Sequence, residues 1–163
     1  MSVIAPQTVA MATWQQFNDE APDLASAIAA RLSAHKHHVI ATLRKDGSPR
    51  VSGTEVEMFA GQLVLGSMLG ARKALDLQRE PRFALHSNPG HHTMDGGDAK
   101  ISGRARELDG DEKTTIVNCY PENPGEAHFF VLDIEEAVLV TVDDERLHVD
   151  LWQPGKGIRR TTR

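Results

Sequence analysis

The strongest constraint on this chain lies between His38 and Ser67. Three runs rich in β-branched and apolar residues, His38–Leu43, Arg50–Phe59 and Gln62–Ser67, are separated by six and by two residues. The first spacer, Arg44 to Pro49, holds the tight-turn pair Asp46-Gly47, and the second is Ala60-Gly61. Connections this short join antiparallel neighbours, because a parallel crossover needs a dozen residues or more. The segment therefore predicts a three-stranded meander. Alternation falters at Gly53, which predicts a bulge there.

The remaining chain adds strands and a few helices. Leu24, Ala25, Ile28, Ala29 and Leu32 form one apolar stripe, predicting a helix over about 22–35. Pro22 suits its first turn and Asp23 its positive end. A short helix is expected over 71–79, closed by Pro81, then a strand at Phe83–Ser87 and a glycine-rich stretch at 88–97. Lys100–Leu108 reads as a strand with a bulge or close contact at Gly103. Asp109 caps a helix over 111–119. His128–Val142 holds one or two strands, and Glu145–Trp152 is the last. No linker or repeat interrupts the pattern. The reading is one mainly β domain, a small antiparallel barrel with a few helices, preceded by a loose tail over 1–12.

Composition excludes several functions. At 40% hydrophobic and 25% charged residues the chain can bury a core. A net charge of −5 argues against nucleic acid or an anionic membrane as partner. No apolar run approaches the roughly 20 residues of a membrane span. Cys119 is the one cysteine, which permits neither an internal disulfide nor a cysteine-framed zinc site and points to a reducing, cytoplasmic setting. The first thirteen residues lack the pattern of a signal peptide.

The chemistry concentrates at Gly66–Lys73, GSMLGARK. A strand ends at Ser67, a glycine turn follows, and a helix opens with Arg72 and Lys73. Two cations in a first turn oppose the helix dipole, a conflict of a few tenths to about 1 kcal/mol. An anion docked there removes it: free backbone N–H groups, the Ser67 hydroxyl and two cationic side chains converge on one phosphate. The plainer reading has both cations solvated and paired with Asp76. Arg50, opening the second strand, either joins the same anion or faces solvent. Trp152, followed by a glycine-rich basic tail with Arg159, either covers a flat ring or a partner chain, or is a core tryptophan beside a frayed terminus.

Other residues carry less. His35, His37 and His38, and His91 and His92 with Asp95 and Asp98, match no metal-ligand spacing, and His37 and His38 should face opposite ways. His86 reads as a core histidine and Cys119 as packing. Neither a Gly-x-Ser-x-Gly elbow nor a Gly-x-Gly-x-x-Gly turn is present.

The run VIATLRKDGSPRVSGTEVEMFAGQLVLGSMLGARKALDLQREPRFALHS, with the later ISGRARE, resembles the flavin-binding split β-barrel family, the pyridoxamine 5′-phosphate oxidase-like proteins. The resemblance covers about 39–108 and implies a six-stranded antiparallel split β-barrel. It further implies a homodimer holding two cofactors between its subunits, FMN or, alternatively, the deazaflavin F420. Arg72 and Lys73 fall on the family's phosphate-binding pair, Ser67 on the position at the end of the preceding strand, and Arg50 on a second-strand arginine that also reaches the phosphate. The implied activity is hydride transfer to or from an unidentified small molecule, or binding of a flavin, F420 or heme-like ligand without turnover. The chain departs from the pattern at Glu55, where a lysine is usual, and at Ala71, where a serine is. A carboxylate repels phosphate, so Glu55 is expected to face elsewhere or the cofactor to sit differently. The oxidase's Arg-x-His-x-Arg substrate signature is missing, so pyridoxamine phosphate oxidation is not supported.

Overall fold

The elements run α1 (Trp14–Glu20), α2 (Pro22–Ser33), β1 (His38–Leu43), β2 (Pro49–Phe59), β3 (Gln62–Met68), α3 (Arg72–Arg79), β4 (Arg82–His86), β5 (Asp98–Glu107), α4 (Gly110–Val117), β6 (Ala127–Asp143), β7 (Arg146–Gln153) and β8 (Gly157–Thr162). They belong to a computed structural model that describes residues 8–163. Six strands in the order β3-β2-β1-β4-β5-β6 form an antiparallel sheet, and β6 pairs back onto β3 to close it into a barrel. Strands β7 and β8 extend the sheet from the far half of β6. The six-stranded barrel expected from the sequence is therefore present, with two further strands.

Alternation sets the two faces. Ile40, Leu63, Leu65, Leu85, Ile101, Leu132 and Ile134 point inward and are buried. Helices α1 and α2 complete that core with Phe17, Leu24 and Ile28. On the outer face, Val64, Phe129 and Val131 form a second cluster with Leu108 and with Ile116 of α4.

Several expectations need correction. Most of the loose tail, residues 1–7, lies outside the described residues; Ala12 is buried and exchanges two backbone hydrogen bonds with Ile134. Helix α1 and strand β8 were not anticipated, and 127–143 is one continuous strand. There is no bulge at Gly53, which pairs with Val39 in unbroken register. His86 is half-buried rather than core, and Cys119 is exposed beyond the end of α4. His37 and His38 do face opposite ways. His38 is buried, its Nδ1 accepting from the Asn88 N–H at 2.9 Å and its Nε2 donating to the Leu32 carbonyl at 2.9 Å; burial pushes its pKa down.

Gly103 is a close contact as well as a bulge. The β5–β6 register slips between Ser102 and Gly103, and a Cβ at Gly103 would lie 1.8 Å from the Asp133 carbonyl oxygen. No side chain fits without moving β6 backbone. Gly103→Ala should therefore lower stability by more than about 2 kcal/mol in urea unfolding, the upper range for overpacking; an unchanged midpoint would show that the strands yield freely.

Candidate functional site

Helix α3 leaves β3 through the turn Met68-Leu69-Gly70. Gly70 takes a left-handed conformation, φ +72°, and the Ala71 N–H bonds to the Met68 carbonyl. The capping residue Ala71 offers no side-chain acceptor or donor. The first N–H groups of α3 are thus left to water or a ligand. Beside this end lies a cavity of about 560 Å³ lined by β2, β3, Lys73, Tyr120 and Phe129. That is within the range of small-molecule sites.

Lys73 reaches across to β2, its Nζ donating to the Gly53 carbonyl at 2.7 Å. Partial burial pushes its pKa down, while the Glu55 carboxylate pulls it back up. A half-desolvated ammonium gains most from a charged partner. Thr54 and Ser67 are buried, and the Oγ of each lacks a hydrogen-bond partner. Tyr120 packs over Gly66 and stays protonated, since burial and then the carboxylates of Glu57 and Glu55 raise its pKa to about 12.

Glu55 does not face elsewhere. It lines this cavity, with its carboxylate 3.7 Å from Lys36 Nζ and 3.6 Å from His37 Nδ1. Glu57 and Glu126 line it too. The cavity thus joins a cationic helix start to an acidic wall.

The three cations and one hydroxyl expected together, Arg50, Arg72, Lys73 and Ser67, are divided between two hollows. Ser67 and Lys73 line the first cavity. Arg50 and Arg72 line a second hollow of about 420 Å³ with Arg44, Lys45 and Arg79. The two hollows lie either side of the start of α3, and Arg50 and Gly53 are about 10 Å apart along β2.

Arg50 is engaged by a partner that the sequence reading assigned otherwise. Asp76 is buried and accepts from Arg50 Nε at 2.6 Å, Thr42 Oγ1 at 2.8 Å and Arg79 Nη2 at 3.2 Å. It does not pair with Arg72 or Lys73. Burial pushes the Asp76 carboxyl up, but the bonds from Arg50, Thr42 and Arg79 outweigh it and hold the pKa below the usual value.

Trp152 lies elsewhere. Its indole is fully buried with its centroid 4.5 Å from that of Phe17, so neither face is open to a ligand ring in this chain. It pairs with Ala137, eight residues along β6 from Phe129, or about 26 Å at strand rise. Arg159, exposed on β8 opposite Leu151, belongs to the same remote end. Thr54 and Tyr120 were missed, whereas Asp76 was expected as the partner of Arg72 and Lys73 and is the partner of Arg50 instead. Only Thr54 left a signal, as a polar residue at an inward position of a strand.

A carboxylate with a lowered folded pKa stabilises above its unfolded value and loses that contribution as pH falls through the folded one. Asp76→Asn should therefore cost more than about 2 kcal/mol near neutral pH, with the gap to the parent shrinking below about pH 4. Urea titrations at several pH values measure this, and a constant gap would remove the charge from the account.

Residues 24–144 match the sequence model of the family described as pyridoxamine 5′-phosphate oxidase. A search of curated proteins returned no match. Among solved structures, the fold is similar to a pyridoxamine 5′-phosphate oxidase-related, FMN binding protein from Nostoc punctiforme, with TM-score 0.63 and 12% identity over 88% of this chain and 94% of that one. It is similar to PhzG from Burkholderia lata in complex with tetrahydrophenazine-1-carboxylic acid, with TM-score 0.59 and 13% identity over 100% and 98%. A heme binding protein from Mycobacterium smegmatis gives TM-score 0.51 and 18% identity over 84% of this chain, which spans only 57% of that protein.

Proposed function

The chain belongs to the pyridoxamine 5′-phosphate oxidase family, and on that footing we propose that it is a flavin-dependent oxidoreductase. FMN is the cofactor this reading favours. The observation that carries it is the cavity at the start of α3, where an uncapped helix end meets the half-buried Lys73. These groups fit an anionic tail. The bound flavin supplies hydride transfer, and the protein supplies anchoring, ring orientation and exclusion of water.

F420 is the alternative cofactor. Its longer anionic tail is ill-suited to the wall of Glu55, Glu57 and Glu126 and would have to run into the hollow of Arg50 and Arg72. A second reading, a heme-like ligand held without turnover, draws on His37 in the cavity lining and on the heme-binding relative of this fold. The visible spectrum of the purified protein separates them: flavin bands for FMN, a colourless protein that binds added F420 for deazaflavin, a Soret band for heme.

A titration then tests the anchor. Arg72→Ala with Lys73→Ala should weaken FMN binding by more than about tenfold, since each charge-assisted contact contributes about 1.5–3 kcal/mol. An unchanged dissociation constant overturns the site.

The reading also includes a second copy of the chain. Val51, Met68, Leu69 and Leu75 expose 70%, 79%, 56% and 39% of their surface around the two hollows. Such a collar of apolar side chains is suited to a partner subunit that completes the cofactor cleft. Sedimentation equilibrium should give a dimer, and Val51→Lys with Leu69→Lys should shift it toward monomer; a wild-type monomer at micromolar concentration contradicts this part of the reading.

A further inference from the structure

One histidine stands apart from the groups that line the cavity, yet it holds the turn that aims α3. His128 is the cross-strand partner of Ser67 in the β3–β6 ladder. Its Nε2 accepts from the Gly70 N–H at 3.3 Å, and its Nδ1 lies 2.7 Å from Glu107 Oε1. The other Glu107 oxygen accepts from Gln78 Nε2 of α3 at 2.8 Å. The imidazole side chain is mostly buried, 16% exposed.

The short contact to the Glu107 carboxylate, 2.7 Å from Nδ1, outweighs the Gln78 amide nitrogen 3.5 Å from the same atom and assigns the tautomer. A backbone N–H can only donate, so Nε2 must present its lone pair, and the ring proton sits on Nδ1 facing Glu107. We propose that His128 is the positioning residue of the α3 cradle and that its protonation state sets whether the turn at Gly70 is held. The function assigned to this latch rests on the cofactor reading above, but its geometry does not.

The logic is one of donor and acceptor. A proton added at Nε2 turns the acceptor into a donor, and two N–H groups then face each other. The Gly70 bond is lost while the pair with Glu107 persists. Glu107 of β5 is the ionisable group in contact with the ring. Helix α3 contributes the uncharged Gln78, β3 contributes the Gly70 turn, and the Phe130 ring lies 6.3 Å away centroid to centroid. Acid thus loosens the segment between Ser67 and Arg72, at the mouth of the cavity, without touching Lys73 directly. Glutamine at this position has an amide oxygen near the place of Nε2 and accepts the same N–H without titrating.

Amide hydrogen exchange at Gly70 in the full chain without added cofactor tests the proposal. After correction for intrinsic rates, protection should fall at least about fivefold between about pH 8 and about pH 5.5 in the parent protein. His128→Gln should stay protected at both, and His128→Ala at neither. FMN affinity should follow the same pattern, with the parent losing more affinity on acidification than His128→Gln, whose remaining change reports the cofactor's own phosphate. Parent protection that does not change with pH, or an equal fall in His128→Gln, overturns the proposal. Expected exchange at Gly70 combined with no FMN binding at any pH upholds the latch and rejects the cofactor instead.

Discussion

Closure of the sheet by β3 and β6 is the constraint from which the site follows. An open β3 would be a bare edge, with its backbone donors and acceptors unpaired. Pairing with β6 satisfies them over Val64–Met68 and fixes Gly66 opposite Phe129 and Ser67 opposite His128. One ladder therefore builds the cavity floor, the serine at its edge and the histidine behind its turn. The length of β6 has a second consequence. Its first residues close the barrel, while its last seven carry β7, so Trp152 is committed to the far core by the same strand that forms the cavity.

A buried carboxylate governs how the cations are shared out. Asp76 is 3% exposed, and an ionised group so placed is tolerable only when paired and hydrogen-bonded. Arg50 and Arg79 meet that need together with Thr42. This ties α3 to β1 and β2 and sets the orientation in which the helix presents its first turn. Arg72 and Lys73 are consecutive and leave the helix on different sides, so the cradle is distributed over two hollows rather than concentrated at one point. Arg50 is a structural residue first, whatever else it touches.

Much of this was legible in the sequence because it is local. Short spacers dictated the meander, the stripe from Leu24 to Leu32 dictated α2, and Gly103 marked a real bulge. The ends were harder. Helix α1 has a capping signature, Thr13 with Gln16, but only seven residues and no clear stripe. Strand β8 is exposed throughout and holds one large apolar residue, Ile158, so alternation gives no signal. The start of α3 was readable from charges opposing a dipole. The engagement of Arg50 by Asp76 was not, because it joins residues twenty-six apart through a side-chain hydrogen bond that depends on the packing of a helix on a sheet. The same holds for His128 and Gly70, fifty-eight apart.

The central claim is that an anionic tail, not a flavin ring, is what the start of α3 recognises. Riboflavin and FMN share the ring and differ in the phosphate, so their dissociation constants measured side by side by flavin fluorescence isolate that contribution. The account gives FMN an advantage of at least about a hundredfold, or about 2.7 kcal/mol, at low ionic strength, shrinking as salt is added. Equal affinity for the two would contradict it.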